Sequence, residues 1–354
     1  MKPKAVVAMS GGVDSSVAAA LMKDAGYDVT GVMMKLWKGA AANNESGCCS
    51  VDAAEDARRV AQVLDIPFYV FNFADHFSDT VIADFKSEYA KGRTPNPCIQ
   101  CNRSVKFQML AERARSYGAV ALATGHYARV DEAGGEFRLH RGKDADKDQS
   151  YVLYMLDQAE LQLARFPVGE YRKAEIREIA SSLDLRVAGK AESQEICFVP
   201  EGDSHAFISE QVPAGSKPGA VLTASGKRVG THRGFAHYTV GQRRGLGFGV
   251  GMPLYVREIR AEDNVVVVTE REGATVTEMQ LEDSCLVSGK TAASFQAAVM
   301  TRYRGPEVSA TVELAGSRAR VEFDEPQFPP APGQAAVFYD HDEVLGGGTI
   351  CSSS

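Results

Sequence analysis

The stretch AMSGGVDSSVAAALM, from Ala8 to Met22, sets two glycines, three serines and one carboxylate between an apolar run and an alanine-rich segment. Gly11 and Gly12 admit positive φ and leave no side chain between backbone and ligand. A helix starting at Ser15 or Ser16 would aim its unpaired N–H groups at the same loop, which predicts an anion cradle. It is not a Walker loop, because G-x-x-x-x-G-K-[ST] is absent and Asp14 stands where a lysine would reach the phosphates. A carboxylate beside phosphate is repulsive unless it holds a cation, which points to a Mg2+-bound pyrophosphate. The simpler alternative is a glycine-rich strand-to-helix turn with a serine N-cap.

Thiols form the second reactive group. Cys48, Cys49, Cys98, Cys101, Cys197, Cys285 and Cys351 make an odd number without a framework spacing, which fits a reducing compartment. Cys98 and Cys101 form a C-x-x-C in a proline-bracketed basic loop ahead of a helix expected near Arg103, a setting that favours thiolate. Half a zinc knuckle is the alternative, and with no second C-x-x-C it would need Cys48 and Cys49. Taken alone, Cys197 reads as a buried core cysteine.

Charge supplies the third signal. A formal net charge of −7 argues by itself against a nucleic-acid partner, but the distribution argues for one. From Gln211 to Arg257 there is no Asp or Glu, while Lys217, Lys227, Arg228, Arg233, Arg243, Arg244 and Arg257 supply seven positive charges. A second acid-free basic stretch runs from Arg93 to Lys106. Such a local surplus is the footprint expected for phosphate; the alternative is a solvated face.

Periodicity indicates what holds these groups in place. The first 125 residues alternate strand-like runs (AVVAM, VTGVMM, FYVFNF, AVALATGH) with helical patterns such as Val51, Ala54, Ala57, Val60, Ala61 and Leu64, or Phe77, Val81, Ile82, Phe85 and Tyr89. This predicts an α/β fold with a doubly wound parallel sheet, and ligands at the strand carboxyl ends where SGGVDSS and ATGH fall. A helical region is expected to continue to about Lys190. Gly and Pro then thicken from Gly202 to Gly251, and short β-like runs after Met252 predict a small barrel or sandwich. For 354 residues the boundaries are expected near 205 and 275: an α/β domain at 1–205, a small central domain at 206–275 and a C-terminal β-barrel-like domain at 276–354. The composition, 44% hydrophobic and 24% charged, is that of a soluble globular protein, and no apolar run approaches the ~20 residues of a membrane span. Residues 1–4 lead straight into a strand with no room for a targeting leader, so a cytoplasmic, membrane-free protein is expected.

The loop resembles that of the PP-loop ATP pyrophosphatases, which cleave ATP between the α and β phosphates. MSGGVDSSVAAALM, GCCS, GRTPNPCIQCN, ATGHYAR, KDQSYVLY, ESQEICF, YTVGQRRGLG, TRYR and GGGTI occur in the same order as in the bacterial tRNA-specific 2-thiouridylase family (MnmA), a resemblance covering nearly the whole chain. It implies adenylation of the wobble uridine O2 in certain tRNAs, then sulfur transfer giving 2-thiouridine, AMP and pyrophosphate. The residues agree with that chemistry. Uracil C2=O is a poor electrophile, and adenylating its oxygen makes AMP the leaving group, splitting one difficult displacement into two easier steps.

Matched motif by motif, the resemblance places ATP with Mg2+ on Ala8, Met9, Ser10, Gly11, Gly12, Val13, Asp14, Ser15 and Ser16, with Met34 as an adenine shelf and Gly125 at a close backbone approach. Cys101 would be the nucleophile. Cys197 would carry a persulfide received from a sulfur-relay protein or cysteine desulfurase, and the two could form a disulfide as sulfur leaves. Asn96, Pro97 and Cys98 would line the target base, with His126, Lys147, Asp148, Gln149, Arg302, Tyr303 and Gln334 against the tRNA anticodon loop. His126 is also a candidate general base. Some family members carry Asp at the position of Cys98, which leaves two readings open: a thiol beside the base, or a ligand, with Cys101 and Cys197, of a 4Fe-4S cluster with one iron open to sulfide. Cys285 and Cys351 match no motif and read as structural; Cys48 and Cys49 match a family loop without an assigned role. The rivals are another PP-loop enzyme needing no reactive cysteine, such as an amidating synthetase or tRNA lysidine synthase, and a non-catalytic RNA-binding protein.

Overall fold

A computed structural model describes residues 1–37, 51–191, 196–199, 204–246, 253–290 and 293–354; Cys48, Cys49 and the first four residues of ESQEICF lie outside the described residues. The apolar runs of the first part form a parallel sheet from β1 (Lys4–Ala8), β2 (Asp28–Lys35), β3 (Phe68–Asn72), β4 (Ala121–Ala123) and β7 (Ala164–Arg165), in the order β3-β2-β1-β4-β7. The order reverses between β1 and β4, so the loops leaving these two strands share one crevice. Alternate residues serve the two faces: Val6, Val32 and Leu122 enter one core, Ala5, Val7 and Ala123 the other. Each Val or Leu buried this way contributes roughly 1.5–3 kcal/mol.

Helix α1 (Val13–Asp24) explains the alanine run. Val13, Val17, Ala18, Ala19, Ala20 and Met22 are all buried, between the sheet and the helix Lys173–Ser182. A helix covered on several sides needs small residues if its neighbours are to pack at interior density. Helix α2 (Val51–Val63) turns Ala57, Val60 and Ala61 inward as its spacing predicts, but Val51 is exposed and Ala53 takes the inward place at the helix start.

Past β4 the expected run of helices is overturned. Strands β5 (Ala128–Ala133) and β6 (Glu136–Arg141) form a hairpin about Gly134 and Gly135, with φ of 63° and 82°. Two consecutive positive-φ residues build the turn whose twist matches the flanking strands, and Gly-Gly between alternating segments is its signal in the sequence. Short helices at Gln158–Leu163 and Lys173–Ser182 follow. The Gly- and Pro-rich stretch departs as well: β8 (Gly219–Thr223) and β9 (Arg228–His232) join β10 (Tyr255–Arg260) and β11 (Val265–Thr269) in a four-stranded sheet, so β structure begins well before Met252.

The C-terminal part is a closed antiparallel barrel. Strands β12 (Val276–Leu286), β13 (Ser294–Met300), β14 (Glu307–Ala315), β15 (Arg318–Gln327), β16 (Ala335–Asp340) and β17 (Glu343–Ser353) run in the order β12-β15-β14-β13-β16-β17, and β17 returns to β12. Met279, Leu281, Val299, Val312, Val321, Phe338 and Ile350 fill it. The β5–β6 hairpin extends this sheet through His140 opposite Glu343 and Leu139 opposite Val344. One apolar cluster also runs through Phe85, Leu139, Phe198, Val256 and Val337, tying the three regions together. No described helix is long and apolar enough to cross a membrane.

Candidate functional site

The chain leaves β1 at Ala8 and enters α1 at Val13, earlier than Ser15 or Ser16, with Gly12 as N-cap and no side-chain cap. The serines therefore do something other than cap. Ser15 Oγ accepts from the Ser10 N–H at 3.1 Å and donates to the Gly12 carbonyl at 3.2 Å, and Ser16 Oγ donates to the same carbonyl at 2.8 Å. These buried hydroxyls brace the loop from inside, leaving Ser10, Gly12 and Asp14 as its outward residues. Gly11 has φ +72°, and a Cβ there would collide with the Ala53 carbonyl of α2. At Gly125 a Cβ would lie 2.7 Å from the Ser15 nitrogen and 3.0 Å from the Asp14 carbonyl carbon, so no side chain fits between the β4 loop and α1. Gly12 is different: its φ is −98° and its nearest neighbour would be Ser10 Oγ at 3.5 Å. Met34, half-buried near the end of β2, stands in register with Phe71.

The cations of this loop come from far along the chain. Lys173 Nζ donates to both oxygens of Asp14, at 2.7 and 2.8 Å, and the Tyr127 hydroxyl donates to Oδ1 at 2.7 Å. Lys190 Nζ donates to the Gly11 carbonyl at 3.0 Å and to Asp56 Oδ2 at 2.8 Å. Sequence reading missed both lysines. One signal was present: Lys173 opens a helix, where a cation opposes the helix dipole, and it is only 8% exposed. Asp14 is thus matched by an ammonium group and a phenol hydroxyl.

The C-x-x-C lies in a helix, correcting the expected loop. Asn96 is the N-cap, accepting from the Cys98 N–H at 3.2 Å, and Pro97 occupies the first turn. The helical path continues from 97 to 116, with wider π-type turns over Asn102–Leu110. Cys98 and Cys101 therefore sit in an N-terminal turn, whose dipole favours thiolate. Cys98 is exposed and Cys101 buried; Cys197 is exposed, which overturns its reading as a core cysteine. The next residue, Phe198, is the buried one, against Phe77, Phe85 and Phe207. Burial pushes the Cys285 thiol up, and Cys351 Sγ donates to the Gln280 carbonyl, both structural settings. Among the described residues no three His, Cys, Asp or Glu side chains gather to hold a metal, so the three cysteines do not fit a cluster ligand set.

The barrel positions this helix. Gln334 Nε2 donates to the Thr94 carbonyl at 2.8 Å and the Thr94 N–H to the Pro332 carbonyl at 2.8 Å, so Gln334 holds the turn leading to Asn96. Tyr303, beyond the end of β13, donates its hydroxyl to the Asp148 carbonyl at 3.1 Å, with the Arg304 guanidinium 5.2 Å from its ring. Burial raises the Tyr303 pKa, and Cys98 is among the groups facing it. Arg302 is exposed and Lys147 half-buried. The Asp148 carboxylate turns inward, accepting from the Gly142 and Ser150 N–H groups and the Ser150 hydroxyl. Gln149 Oε1 accepts from the Tyr127 N–H at 3.0 Å, which links this segment to the residue that bonds Asp14.

His126 joins the two halves. Its Nε2 lies 3.3 Å from Lys106 Nζ and its Nδ1 2.8 Å from Thr124 Oγ1. A protonated lysine can only donate, so Nε2 accepts and Nδ1–H donates to Thr124. Burial first, then the Lys106 charge, push the His126 pKa well below its ordinary value, leaving a neutral ring. Lys106 belongs to the cysteine helix and His126 follows Gly125, which packs on Ser15, so this contact ties the cysteine helix to the glycine–serine loop.

A glycine-serine loop at the switch point of a parallel sheet, backed by distant lysines, defines the class of α/β proteins built around a phosphate-type loop. Family matches agree: residues 3–201 match a tRNA methyl transferase HUP domain, 205–270 a tRNA methyl transferase PRC-barrel domain, and 276–350 an aminomethyltransferase beta-barrel domain. The chain is 49% identical over 351 residues to the tRNA-specific 2-thiouridylase MnmA of Moorella thermoacetica, covering 98% of each. It is 48% identical over 356 residues to that of Geobacter metallireducens, covering 99% of this chain and 97% of the relative. The chain belongs to the tRNA-specific 2-thiouridylase family. Among solved structures, a 4-thiouridine synthetase–RNA complex with bound ATP aligns at a TM-score of 0.39 and 20% identity, over 60% of this chain and 50% of that one.

Proposed function

We propose that this protein is a cytoplasmic ATP-dependent tRNA-uridine 2-sulfurtransferase acting on the wobble base of an anticodon loop. The uridine O2 attacks the α-phosphorus of ATP on the loop from Ala8 to Ser16, and pyrophosphate leaves with Mg2+ as its counter-ion. Lys173 and Lys190 balance the charge that builds there. A persulfide on Cys197, loaded by a sulfur-relay protein or cysteine desulfurase, then attacks C2 through its terminal sulfur, and AMP departs with the oxygen. The Cys101 thiolate attacks the Cys197 sulfur, releasing 2-thiouridine and leaving a Cys101–Cys197 disulfide for a two-electron thiol reductant. Cys98, Asn96 and Pro97 border the base. Lys147, Gln149, Arg302, Tyr303 and Gln334 contact the tRNA or hold the segments that do. Residues 1–205 carry the chemistry, with 206–275 and 276–354 supplying RNA contacts.

The Lys106–His126 contact supports this reading, because at 3.3 Å it joins the helix of Cys98 and Cys101 to the segment that follows Gly125. The test incubates the protein with ATP, tRNA and a persulfide donor, then follows pyrophosphate and analyses the nucleosides by mass spectrometry. Cys101→Ser and Cys197→Ser should each abolish 2-thiouridine while pyrophosphate release persists. Thiolation that appears only after iron and sulfide reconstitution, and vanishes in Cys98→Ser, would favour the 4Fe-4S reading instead.

A further inference from the structure

Two residues of the acid-free segment, Arg233 and His237, join His205 and Ser209 just ahead of it in a histidine relay that the adenylation and thiolation steps do not use. His205 and Ser209 stand one turn apart on the helix Ser204–Gln211, Arg233 follows β9, and His237 ends the turn Phe235–His237. The Arg233 guanidinium lies 3.1 Å from His205 Nε2. A guanidinium only donates, so Nε2 is an acceptor and the His205 proton sits on Nδ1. That N–H donates to His237 Nδ1 at 3.2 Å, which leaves the His237 proton on Nε2, 3.3 Å from Ser209 Oγ. Ser209 in turn donates to the His205 carbonyl at 2.9 Å. Each bond fixes the direction of the next. Burial, then His205 and Arg233, push the His237 pKa below its ordinary value, in keeping with an Nδ1 that accepts. Among the described residues, the other titratable groups near the relay are exposed Glu210 and Lys217, His232, which is turned to the Asn264 carbonyl, and Tyr238, whose hydroxyl donates to the Leu246 carbonyl.

We propose that Arg233 and His205 form a clamp for a phosphodiester group of the RNA substrate, closed by one proton taken up at His205 Nε2. The proposal rests on the tRNA reading above. Protonation turns the Nε2 acceptor into a donor and breaks its bond to Arg233. Two cationic N–H groups then face one gap, and a phosphate oxygen between them accepts from both. His237 keeps its place, because its Nδ1 still accepts the other His205 N–H and so orients the imidazolium. Ser209 holds the His237 tautomer that makes this acceptor available. None of the four bonds involves a carboxylate, and the surrounding segment supplies the positive field that draws RNA.

The test measures tRNA affinity from pH 8 to pH 6 at constant ionic strength. Affinity of the parent protein should rise toward acid pH, by up to about tenfold per pH unit where one proton is taken up. His205→Gln should lose most of that rise. Arg233→Gln should weaken binding at pH 6 and flatten the log–log salt dependence by about 0.7–0.9, the share of one phosphate. The pH dependence of the parent surviving in His205→Gln overturns the clamp. A second measurement needs no RNA: nitrogen-15 histidine spectra at pH 8 should show Nδ1–H on His205 and Nε2–H on His237, and the reverse assignment overturns the relay. Failure of the parent to bind tRNA at any pH would remove the tRNA reading as well, whereas tight binding with a flat pH profile removes the clamp alone.

Discussion

Replacing Lys173 with Met keeps most of the side-chain volume and removes the ammonium that meets both oxygens of Asp14 at 2.7 and 2.8 Å. Hydrogen bonds to a charged group contribute roughly 1.5–3 kcal/mol when well buried. Here the Asp14 side chain is 29% exposed against 10% for Lys173, and the Tyr127 hydroxyl remains at 2.7 Å, so water and phenol recover part of the loss. The expected cost to stability is about 1–2 kcal/mol. The expected cost to the reaction is larger, because a fixed positive group beside developing charge is typically worth about 10²–10³ in rate, or roughly 2.7–4 kcal/mol. Single-turnover pyrophosphate release with tRNA and saturating ATP measures it, with thermal melting as the folding control. The double variant Asp14→Asn/Lys173→Met separates two roles. If Lys173 only balances Asp14, removing both charges restores release; if it acts on the phosphates, release stays low. Release by Lys173→Met within about threefold of the parent would refute the assignment of Lys173 to the nucleotide site.

Gly125→Ala sets a Cβ 2.7 Å from the Ser15 nitrogen, and should cost about 1–3 kcal/mol and abolish the rise in melting temperature on adding ATP. Gly12→Ala, with 3.5 Å to its nearest neighbour, should leave the melting temperature without ATP close to that of the parent. Gln334→Ala frees the Thr94 and Pro95 carbonyls and should lower 2-thiouridine formation more than pyrophosphate release, read by nucleoside mass spectrometry beside a phosphate assay. His126 supplies a pH test: the unfolded chain takes up a proton near the ordinary imidazole pKa of about 6.5 while the folded chain does not, so stability should fall as pH drops through that value. Urea midpoints at pH 7.5 and 5.5 should differ less in His126→Gln than in the parent; an equal difference would contradict the neutral buried ring.

What could be read from the sequence was whatever depends on neighbours within a turn or a strand. Val6 and Val7 alternate between two cores because the sheet is covered on both faces, and that pattern sits in five consecutive letters. Asn96-Pro97 also carries its meaning locally, as N-cap and first turn, where a proline-bracketed loop was expected. The hairpin at 128–141 falls where a helical region was expected, although Gly134-Gly135 marks it. Lys173 and Lys190 were out of reach for a different reason. Their partners lie 159 and 179 residues away, and nothing in their own surroundings says which carboxylate or carbonyl they will meet. The same holds for Gln334, whose letter looks like any polar loop residue until the barrel sets it against Thr94.

The strand β17 has a consequence for how the chain is made. It pairs with β16, closes the barrel on β12 and takes the edge of β6. On the ribosome, Leu139 emerges roughly two hundred residues before its partner Val344, an interval of about 10–40 s at about 5–20 residues per second. Through that interval the hairpin presents an unpaired edge, and Arg138 and Arg141 on β6 are the kind of charged residues that discourage a wrong strand from adding to it. A nascent chain stalled before Glu343 is expected to hold its nucleotide loop while Tyr303 and Gln334 remain unseated. Synthesis of the final barrel strand is thus expected to be the event that seats Gln334 against the turn leading to Asn96.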